Sequence, residues 1–268
     1  MTITMDNQLY KVWEKDPLLP FYNINGLEKV ILTCDIDWAP DFAIEYVMNL
    51  VEKYDCKITM FSTHKSELLL NAPEFVEVGL HPDFTRPNNQ SGFGEKLFKL
   101  KEIYPNAVGT RSHRNFFGQN IADIAKQYDL QYDASVFLWN QPLCQVHKDY
   151  NNMLRFSYMW EDGIHLDMGL PFSWESISLS SPGLKIVNIH PILIYLNSVN
   201  EQHRRSVTSR YSDLTIASKS EIDVDVNKSY GIRDFWEELL KYINENSIST
   251  YTLSDVANYY REQDTENN

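Results

Sequence analysis

The stretch that decides the fold is VILTCDIDWAP, residues 30–40. Its first part is an apolar, β-branched run typical of a buried strand, and its second part contains two aspartates, Asp35 and Asp37, separated by one residue. In a strand, residues i and i+2 lie on the same face, so both carboxylates are expected to project in the same direction. Cys34 then points to the opposite face, into the core.

The two carboxylates repel each other, so a cation, a shared proton or an arginine partner must compensate their charge. One interpretation is a metal site in which one carboxylate is a ligand and the other is a base. The alternative is structural: the aspartates cap the helix expected to begin near Pro40 and Asp41. Residues 30–40 alone leave both interpretations open.

The composition is that of a globular protein, with 268 residues, 43% hydrophobic and 23% charged. We expect one domain spanning residues 1–268. The net charge of −13 argues against nucleic acid or an anionic membrane surface as the main partner. The sequence has neither the roughly 18 consecutive apolar residues of a membrane span nor an apolar N-terminal signal core, so we expect a cytoplasmic protein. Its three cysteines fit reduced thiols better than a disulfide framework.

Strand-like and helix-like segments alternate along the chain. The pattern predicts strands at 29–35, 57–62, 75–80, 107–111, 132–137, 184–189 and 249–252, one or two more within 153–170, and helices at 41–54, 67–70, 93–104, 121–128, 232–244 and 255–261. Such alternation predicts an α/β fold with a mainly parallel sheet, and about seven units favour a closed or nearly closed barrel. An open doubly wound sheet is the alternative. The polar segment 197–230 is predicted to be a long loop or lid.

In both architectures, functional sites lie at the carboxyl ends of the strands. Residues able to bind a metal or transfer a proton follow the predicted strands one after another, and these are Asp35, Asp37, His81, Arg111, His113, Asp133 and His190. A single histidine in such a position is usually structural. Three histidines converging on an aspartate pair favour a metal-dependent active site.

These residues resemble the motifs of the polysaccharide deacetylases that share the NodB homology domain. The first motif of that family, Thr-Phe-Asp-Asp, is similar to residues 33–35 followed, one place late, by Asp37. Of the second motif, His-x-x-x-His, the chain keeps only His81. Arg111 resembles the arginine of the third motif, and Ile189 with His190 resembles the final Leu-x-His. The D-x-D-W and R-S-H sequences are similar to a divergent branch associated with bacterial surface-polysaccharide biosynthesis.

The resemblance implies a distorted (β/α)7-type barrel that removes acetyl groups from sugars with a divalent metal. The incomplete second motif removes one metal ligand. We expect His113 to replace it, so that Asp37, His81 and His113 bind the ion, with Asp83 as the alternative third ligand. Two histidines and a carboxylate suit Zn²⁺ and are also compatible with Fe²⁺, Co²⁺ or Ni²⁺.

The resemblance and the chemistry of amide hydrolysis suggest roles for the other residues. Asp35 would be the base and Arg111 its partner, although the roles of Asp35 and Asp37 could be exchanged. His190 would be the general acid, kept charged by a carboxylate such as Asp133.

Two further residues are assigned to the substrate. Trp38 is expected to stack on a sugar ring, and Arg114 is a substrate contact or the alternative arginine partner of the base. The segment GIHLDMGLPF, residues 163–172, is expected to form a wall of the substrate cleft.

The predicted substrate is an N-acylated sugar, nucleotide-linked or lipid-linked, as expected for a cytoplasmic intermediate. A diphosphate carrier would require basic residues such as Arg86, Arg204 and Arg205 to gather locally. Two alternatives are a deacetylase-like barrel that only binds saccharides and a D-x-D glycosyltransferase. A phosphatase of the haloacid dehalogenase type would require a threonine at position 39, where the chain has Ala39.

Overall fold

A ten-stranded sheet organises the protein. The computed structural model describes residues 15–85 and 92–266. The strands are β1 Lys29–Asp35, β2 Ile58–Ser62, β3 Val76–Leu80, β4 Gly109–Thr110, β5 Tyr132–Phe137, β6 His147–Lys148, β7 Leu154–Tyr158, β8 Trp160–Glu161, β9 Ile186–Ile189 and β10 Ser249–Tyr251. The α-helices are α1 Asp41–Lys53, α2 Glu67–Leu70, α3 Phe93–Ile103, α4 Gln119–Gln127, α5 Asp162–Asp167, α6 Pro191–Leu196, α7 Glu201–Thr208, α8 Lys219–Asp223, α9 Ile232–Glu245 and α10 Leu253–Glu266.

The strands form a distorted (β/α)7-type barrel. Their order is β6-β7-β5-β4-β3-β2-β1-β9-β8, with β10 against the start of β1, and every pairing except β6 with β7 is parallel. One residue, Met159, separates β7 from β8, and its N–H donates to the Ile186 carbonyl at 2.9 Å. Through Met159, β7 near one end of the strand order therefore continues directly into β8 at the other end. The predicted α/β barrel is confirmed.

The central strand β1 has the predicted bounds, and six of its seven residues are buried. Cys34 lies on the core face with no exposed surface. The capping interpretation of the aspartates is wrong, because the N-cap residue of α1 is Pro40 and no side chain caps this helix. Asp35 and Asp37 therefore do not cap α1.

The prediction of a long loop at residues 197–230 is wrong in part. This segment contains α7, α8 and a 3₁₀ turn, Leu214–Ile216. Each short helix depends on polar capping rather than on a long apolar face: the Asn200 side chain caps α7, and Ser218 with Glu221 forms a capping box on α8. Short helices of this kind give little periodic signal. Whether the segment acts as a lid stays a prediction.

The three cysteines are buried and unpaired, as expected for reduced thiols. Within the two described ranges, no helix is both long and apolar enough to span a bilayer.

Close packing inside the barrel predicts a strong effect of substitution at Gly109 on β4. A Cβ atom at Gly109 would lie 1.8 Å from the Tyr132 ring, and Tyr132 is itself held by a 2.6 Å hydrogen bond to Glu77. We expect Gly109→Ala to lower the free energy of unfolding by about 1–3 kcal/mol or more. Urea denaturation monitored by circular dichroism measures this change.

Gly118→Ala is the matched control, because a Cβ atom there meets nothing within 4 Å. Gly118 is the N-cap residue of α4 with an extended backbone, and alanine is a poorer N-cap than glycine, so this substitution should cost no more than about 1 kcal/mol. Equal stability of Gly109→Ala and wild type would contradict the packing of β4 against Tyr132.

Candidate metal centre and active site

A cavity of about 580 Å³ opens at the carboxyl ends of the barrel strands. Its floor holds most of the residues singled out in the sequence, and its lining includes Asp35, Asp37, Trp38, His81, His113, Arg114, Glu161 and His190. Helix α5, which directly follows β8, and helix α7 complete the wall. Gly163, Ile164 and Asp167 belong to the lining, so the 163–172 segment contributes to the cleft.

Asp37, His81 and His113 form one cluster. Asp37 Oδ1 lies 3.0 Å from His113 Nδ1 and 3.2 Å from His81 Nε2. One ligand atom from each residue lies within 4.8 Å of the others, so the three could bind a single ion. The chain order of the strands accounts for this, since β1, β2, β3 and β4 are neighbours and each residue follows one of them.

The backbone beyond the strand ends positions the three side chains. β1 ends at Asp35, and Asp37 and Trp38 then adopt left-handed conformations with φ of 39° and 56°. Asp37 therefore enters the cavity from a tight turn rather than from a strand. Such conformations in non-glycine residues cost free energy and are concentrated at functional sites. The N–H groups of His81 and His113 are bound to the carbonyls of Ser62 and Pro82, at 2.8 and 3.1 Å.

The cluster suits a divalent transition metal. Two imidazole nitrogens and one carboxylate oxygen, with an open cavity beside them, are the donor set of a catalytic zinc site. Burial raises the pKa of Asp37, but hydrogen bonds from His113 and His81 and the charge of His190 outweigh it and hold the pKa well below its usual value. The carboxylate is therefore ionised, as a metal ligand must be.

Asp83, the alternative third ligand, is not part of this cluster. Its Oδ1 accepts hydrogen bonds from the backbone N–H and the hydroxyl of Thr85, at 2.9 and 2.5 Å. The described geometry therefore favours His113.

The closest partners of Asp35 differ from those of Asp37, although His81 Nδ1 also lies 3.8 Å from Asp35 Oδ1. The buried Arg111 guanidinium donates to Asp35 Oδ1 at 3.0 Å, and Asn188 Nδ2 donates to Asp35 Oδ2 at 3.0 Å. The same arginine nitrogen lies 3.0 Å from Thr33 Oγ1 and 2.6 Å from Asn188 Oδ1. The pairing of Asp35 with Arg111 agrees with the sequence-based expectation. Arg114, the alternative partner, lines the cavity instead.

His190 is paired with Asp162, which corrects the expectation that Asp133 fills this position. His190 Nδ1 lies 2.6 Å from Asp162 Oδ1, and the His190 backbone N–H donates to Asp162 Oδ2 at 2.7 Å. Asp133 instead forms an ion pair with Arg155 at 3.0 Å and accepts a hydrogen bond from the Ser135 hydroxyl at 2.7 Å. Asp133 is completely buried and is not among the residues that line the cavity.

The electrostatics around His190 favour its charged form. Burial lowers the pKa of this imidazole, but the charge and hydrogen bond of Asp162, together with the charges of Asp37 and Glu161, raise it well above its usual value. His190 Nε2 lies 3.8 Å from Asp37 Oδ2, so the charged ring faces the metal cluster across the cavity.

Three residues of this site were missed in the sequence. Asn188 lies two positions before His190 in the apolar run of β9, and Thr33 lies two positions before Asp35 in β1, so each shares a strand face with a recognised residue. A search for polar residues two positions before His190 and before Asp35 could have found both. Asp162 follows β8, a strand of two residues that is too short to give a pattern.

Trp38 lies at the cavity and packs edge-on against His113, with ring centroids 5.1 Å apart. Arg114 follows His113 in a left-handed conformation with φ of 56° and also lines the cavity. Both expected substrate contacts are therefore placed beside the metal cluster.

Comparisons with known proteins identify the family. The family model for WbmS-like polysaccharide deacetylases matches residues 32–208. The chain belongs to this family of polysaccharide deacetylases. The matched region contains the metal cluster, the Asp35–Arg111 pair and the His190–Asp162 pair, and the sequence-based resemblance is confirmed.

Solved structures give further similarities. WbmS from Bordetella bronchiseptica, described as a polysaccharide deacetylase involved in O-antigen biosynthesis, is 26% identical, with 81% of this chain and 91% of that chain covered and a TM-score of 0.73. A family 4 carbohydrate esterase from Bacillus anthracis is 12% identical over 97% of this chain and 96% of its own, with a TM-score of 0.43. A family 4 pseudoenzyme from the same species is 12% identical over 88% and 68%, with a TM-score of 0.44. A comparison with curated protein sequences found no significant match.

The Asp162–His190 pair predicts how His190 titrates. In metal-free protein, we expect the His190 imidazole to stay charged well above pH 6.5, the ordinary histidine value, and Asp162→Asn to lower its pKa. Because the pKa is raised on folding, the pair stabilises the protein fully below about pH 6.5, and this stabilisation is lost as the pH rises through the folded-state pKa.

Histidine NMR titration of wild type and Asp162→Asn measures the shift. Urea denaturation of both proteins at several pH values measures the linked stability, and the difference between them should shrink at high pH. An unchanged His190 pKa in Asp162→Asn would contradict the assignment of Asp162 as its partner.

Proposed function

We propose that this protein is a metal-dependent hydrolase that removes an N-acetyl or other small acyl group from a sugar, in the synthesis of a bacterial surface polysaccharide. One observation carries the proposal: the two carboxylates after β1 have different closest partners, and His81 lies between them, 3.2 Å from Asp37 and 3.8 Å from Asp35. Asp37 lies with two histidines, whereas Asp35 lies with a buried arginine and an asparagine. In this arrangement Asp37 would serve as a metal ligand and Asp35 as a base at the same site.

Asp37, His81 and His113 would bind the divalent ion, with Zn²⁺ most compatible and Fe²⁺, Co²⁺ or Ni²⁺ as alternatives. A divalent ion there would polarise the acyl carbonyl and lower the pKa of a bound water. This set restores the ligand count lost with the second histidine of the His-x-x-x-His motif. It also weighs against a barrel that only binds saccharides, which has no need for a complete ligand set.

Asp35 would accept the proton of the attacking water. Its carboxylate is nearly fully buried, yet Arg111 supplies the compensating charge and Asn188 supplies a further donor. Arg111 is itself fixed by a 3.0 Å hydrogen bond from Nε to the Ala134 carbonyl and by packing on the Phe61 and Tyr158 rings. The base is thereby held in one orientation before substrate arrives.

His190 would protonate the departing amine. An amine is a poor leaving group unless it receives a proton, and a histidine kept charged by a buried carboxylate can donate one. The 2.6 Å contact of Nδ1 with Asp162 leaves Nε2 directed toward the cavity, on the side of Asp37. The acid and the metal cluster therefore lie within reach of one acyl group.

The remaining assignments concern the sugar. Trp38 would stack on a ring of the substrate, since its indole lies at the cavity beside His113. The similarity to WbmS supports an intermediate of surface-polysaccharide synthesis as substrate, nucleotide-linked or lipid-linked. A cytoplasmic location would fit such an intermediate.

Acid–base variants test the mechanism. In protein loaded with Zn²⁺ or Co²⁺, we expect acetate release from an N-acetylated sugar, and a kcat about 10²–10⁴ lower for Asp35→Asn and for His190→Asn. Both variants should keep the metal content of wild type, because neither residue belongs to the ligand cluster. An enzymatic acetate assay and mass spectrometry of bound metal provide the two measurements.

His147→Asn is the matched control for His190→Asn, since His147 is exposed on β6 and is not among the residues that line the cavity. It should leave kcat unchanged. A wild-type kcat in His190→Asn would contradict the assignment of His190 as the general acid. Failure of metal-loaded wild type to release an acyl group from any of a panel of N-acylated sugars would contradict the proposed hydrolase.

A further inference from the structure

Three arginines line the cavity, although the protein as a whole carries a net charge of −13. They are Arg114, which follows His113 in the sequence, and Arg204 and Arg205 on helix α7. The deacetylase mechanism uses none of them. In an acidic protein, arginines gathered at one cavity require a separate explanation.

Arg204 and Arg205 are held in position by one carboxylate. Arg204 Nε donates to Glu201 Oε2 at 2.8 Å, its Nη2 contacts Glu201 Oε1, and Arg205 Nε donates to the same Oε1 at 2.9 Å. Glu201 is 15% exposed at its side chain, whereas Arg205 is 69% exposed. Each guanidinium group therefore keeps further N–H donors that Glu201 does not occupy.

Arg204 lines the same cavity as Asp37 and His190. The hydrogen bond to Glu201 is the main cause that raises its pKa, and the charges of Asp37 and Asp162 add to the effect. Helix α7 packs on α5 and α6, which begin directly after Glu161 and directly after His190. The arginine pair therefore lines the same cavity as His190, Asp37, His81 and His113.

Arg114 is free to bind a ligand. It forms no ion pair with any residue in the described parts of the chain, and its side chain is exposed at the cavity. Arg114 and Asn115 both adopt left-handed conformations, with φ of 56° and 55°. The 2.8 Å hydrogen bond from Asn115 Nδ2 to the Tyr158 hydroxyl anchors this turn.

The carboxylates of the cavity do not cancel these charges. On the floor, Asp35 is paired with Arg111, Asp37 with the histidines, and Glu161 accepts a hydrogen bond from Tyr158 at 3.0 Å. The other carboxylates of the lining are Glu201 and the exposed Asp167, against the three arginines. These five side chains together carry one net positive charge.

We infer that the substrate sugar carries an anionic group, a phosphate or a carboxylate, that binds to Arg114 and to the Arg204–Arg205 pair. This inference rests on the proposed deacetylase function and specifies its substrate class. Planar guanidinium groups bind phosphate and carboxylate oxygens through paired N–H donors, and fixed donors lose little entropy on binding. The two sources of such an anion are a phosphate linked to the sugar and the carboxylate of a uronic acid, and the binding test separates them.

Isothermal titration calorimetry on zinc-loaded protein tests the inference without requiring turnover. The probes are N-acetylglucosamine, its 1-phosphate, UDP-N-acetylglucosamine and an N-acetylated aminouronic acid. We expect at least one anionic probe to bind about tenfold or more tightly than the neutral sugar, with an affinity that falls as salt rises. The probe class that binds tightest identifies phosphate or carboxylate as the source.

The arginine variants locate the binding. Arg114→Gln and Arg205→Gln should each lower the affinity for the anionic probe by about tenfold and leave the affinity for the neutral sugar unchanged. Arg205 is well exposed, so its substitution should not affect folding. Thermal unfolding of the variant would check this. Arg210→Gln is the control, because Arg210 pairs with Asp225 and is not among the residues that line the cavity.

Equal affinity for neutral and anionic sugars, no measurable binding of any anionic probe, or unchanged affinity in both arginine variants would overturn the inference. Acyl release from the tightest-binding anionic sugar by both variants at the wild-type kcat/KM would do so as well. That last result would leave the proposed deacetylase function standing, so the two proposals fail independently.

Discussion

Asp35 and Asp37 lie at the carboxyl end of the central strand with one residue between them, and their repulsion must be compensated in a largely buried site. The chain separates them by a change of backbone conformation. β1 ends at Asp35, which stays beside Arg111 at 3.0 Å, and the left-handed turn at Asp37 and Trp38 carries the second carboxylate to His81 and His113. Each carboxylate therefore lies next to its own cationic or metal-binding partner.

The barrel supplies those partners because its strands are parallel and adjacent. His81 follows β3, Arg111 follows β4 and His190 follows β9, and all three strands end at the same edge. The completely buried Arg111 is the most demanding of these residues, since an unpaired guanidinium there would be very costly. Nη1 and Nε have partners in Asp35, Asn188 and the Ala134 carbonyl, and two aromatic rings face the guanidinium, whereas Nη2 has no hydrogen-bond partner among the described residues.

Much of this arrangement could be predicted because parallel strands place their ends together. The bounds of β1 and β5 were correct, and so was the prediction that His113 joins Asp37 and His81 in one cluster. The partner of His190 could not be predicted in the same way. Asp133 and Asp162 both follow or lie in predicted strand regions, and only tertiary packing decides that Asp133 meets Arg155 inside the protein while Asp162 meets His190. The helices within residues 197–230 were missed because capping, not periodicity, specifies them.

Anomalous X-ray diffraction from crystals soaked in Zn²⁺ tests the central claim most directly. The account predicts one strong peak within about 2.0–2.2 Å of a carboxylate oxygen of Asp37 and of one nitrogen each of His81 and His113, with Asp35 still bound to Arg111. A peak coordinated by Asp35 or Asp83 instead of Asp37 or His113, or no peak in the cavity at all, would contradict the division of the two carboxylates into ligand and base.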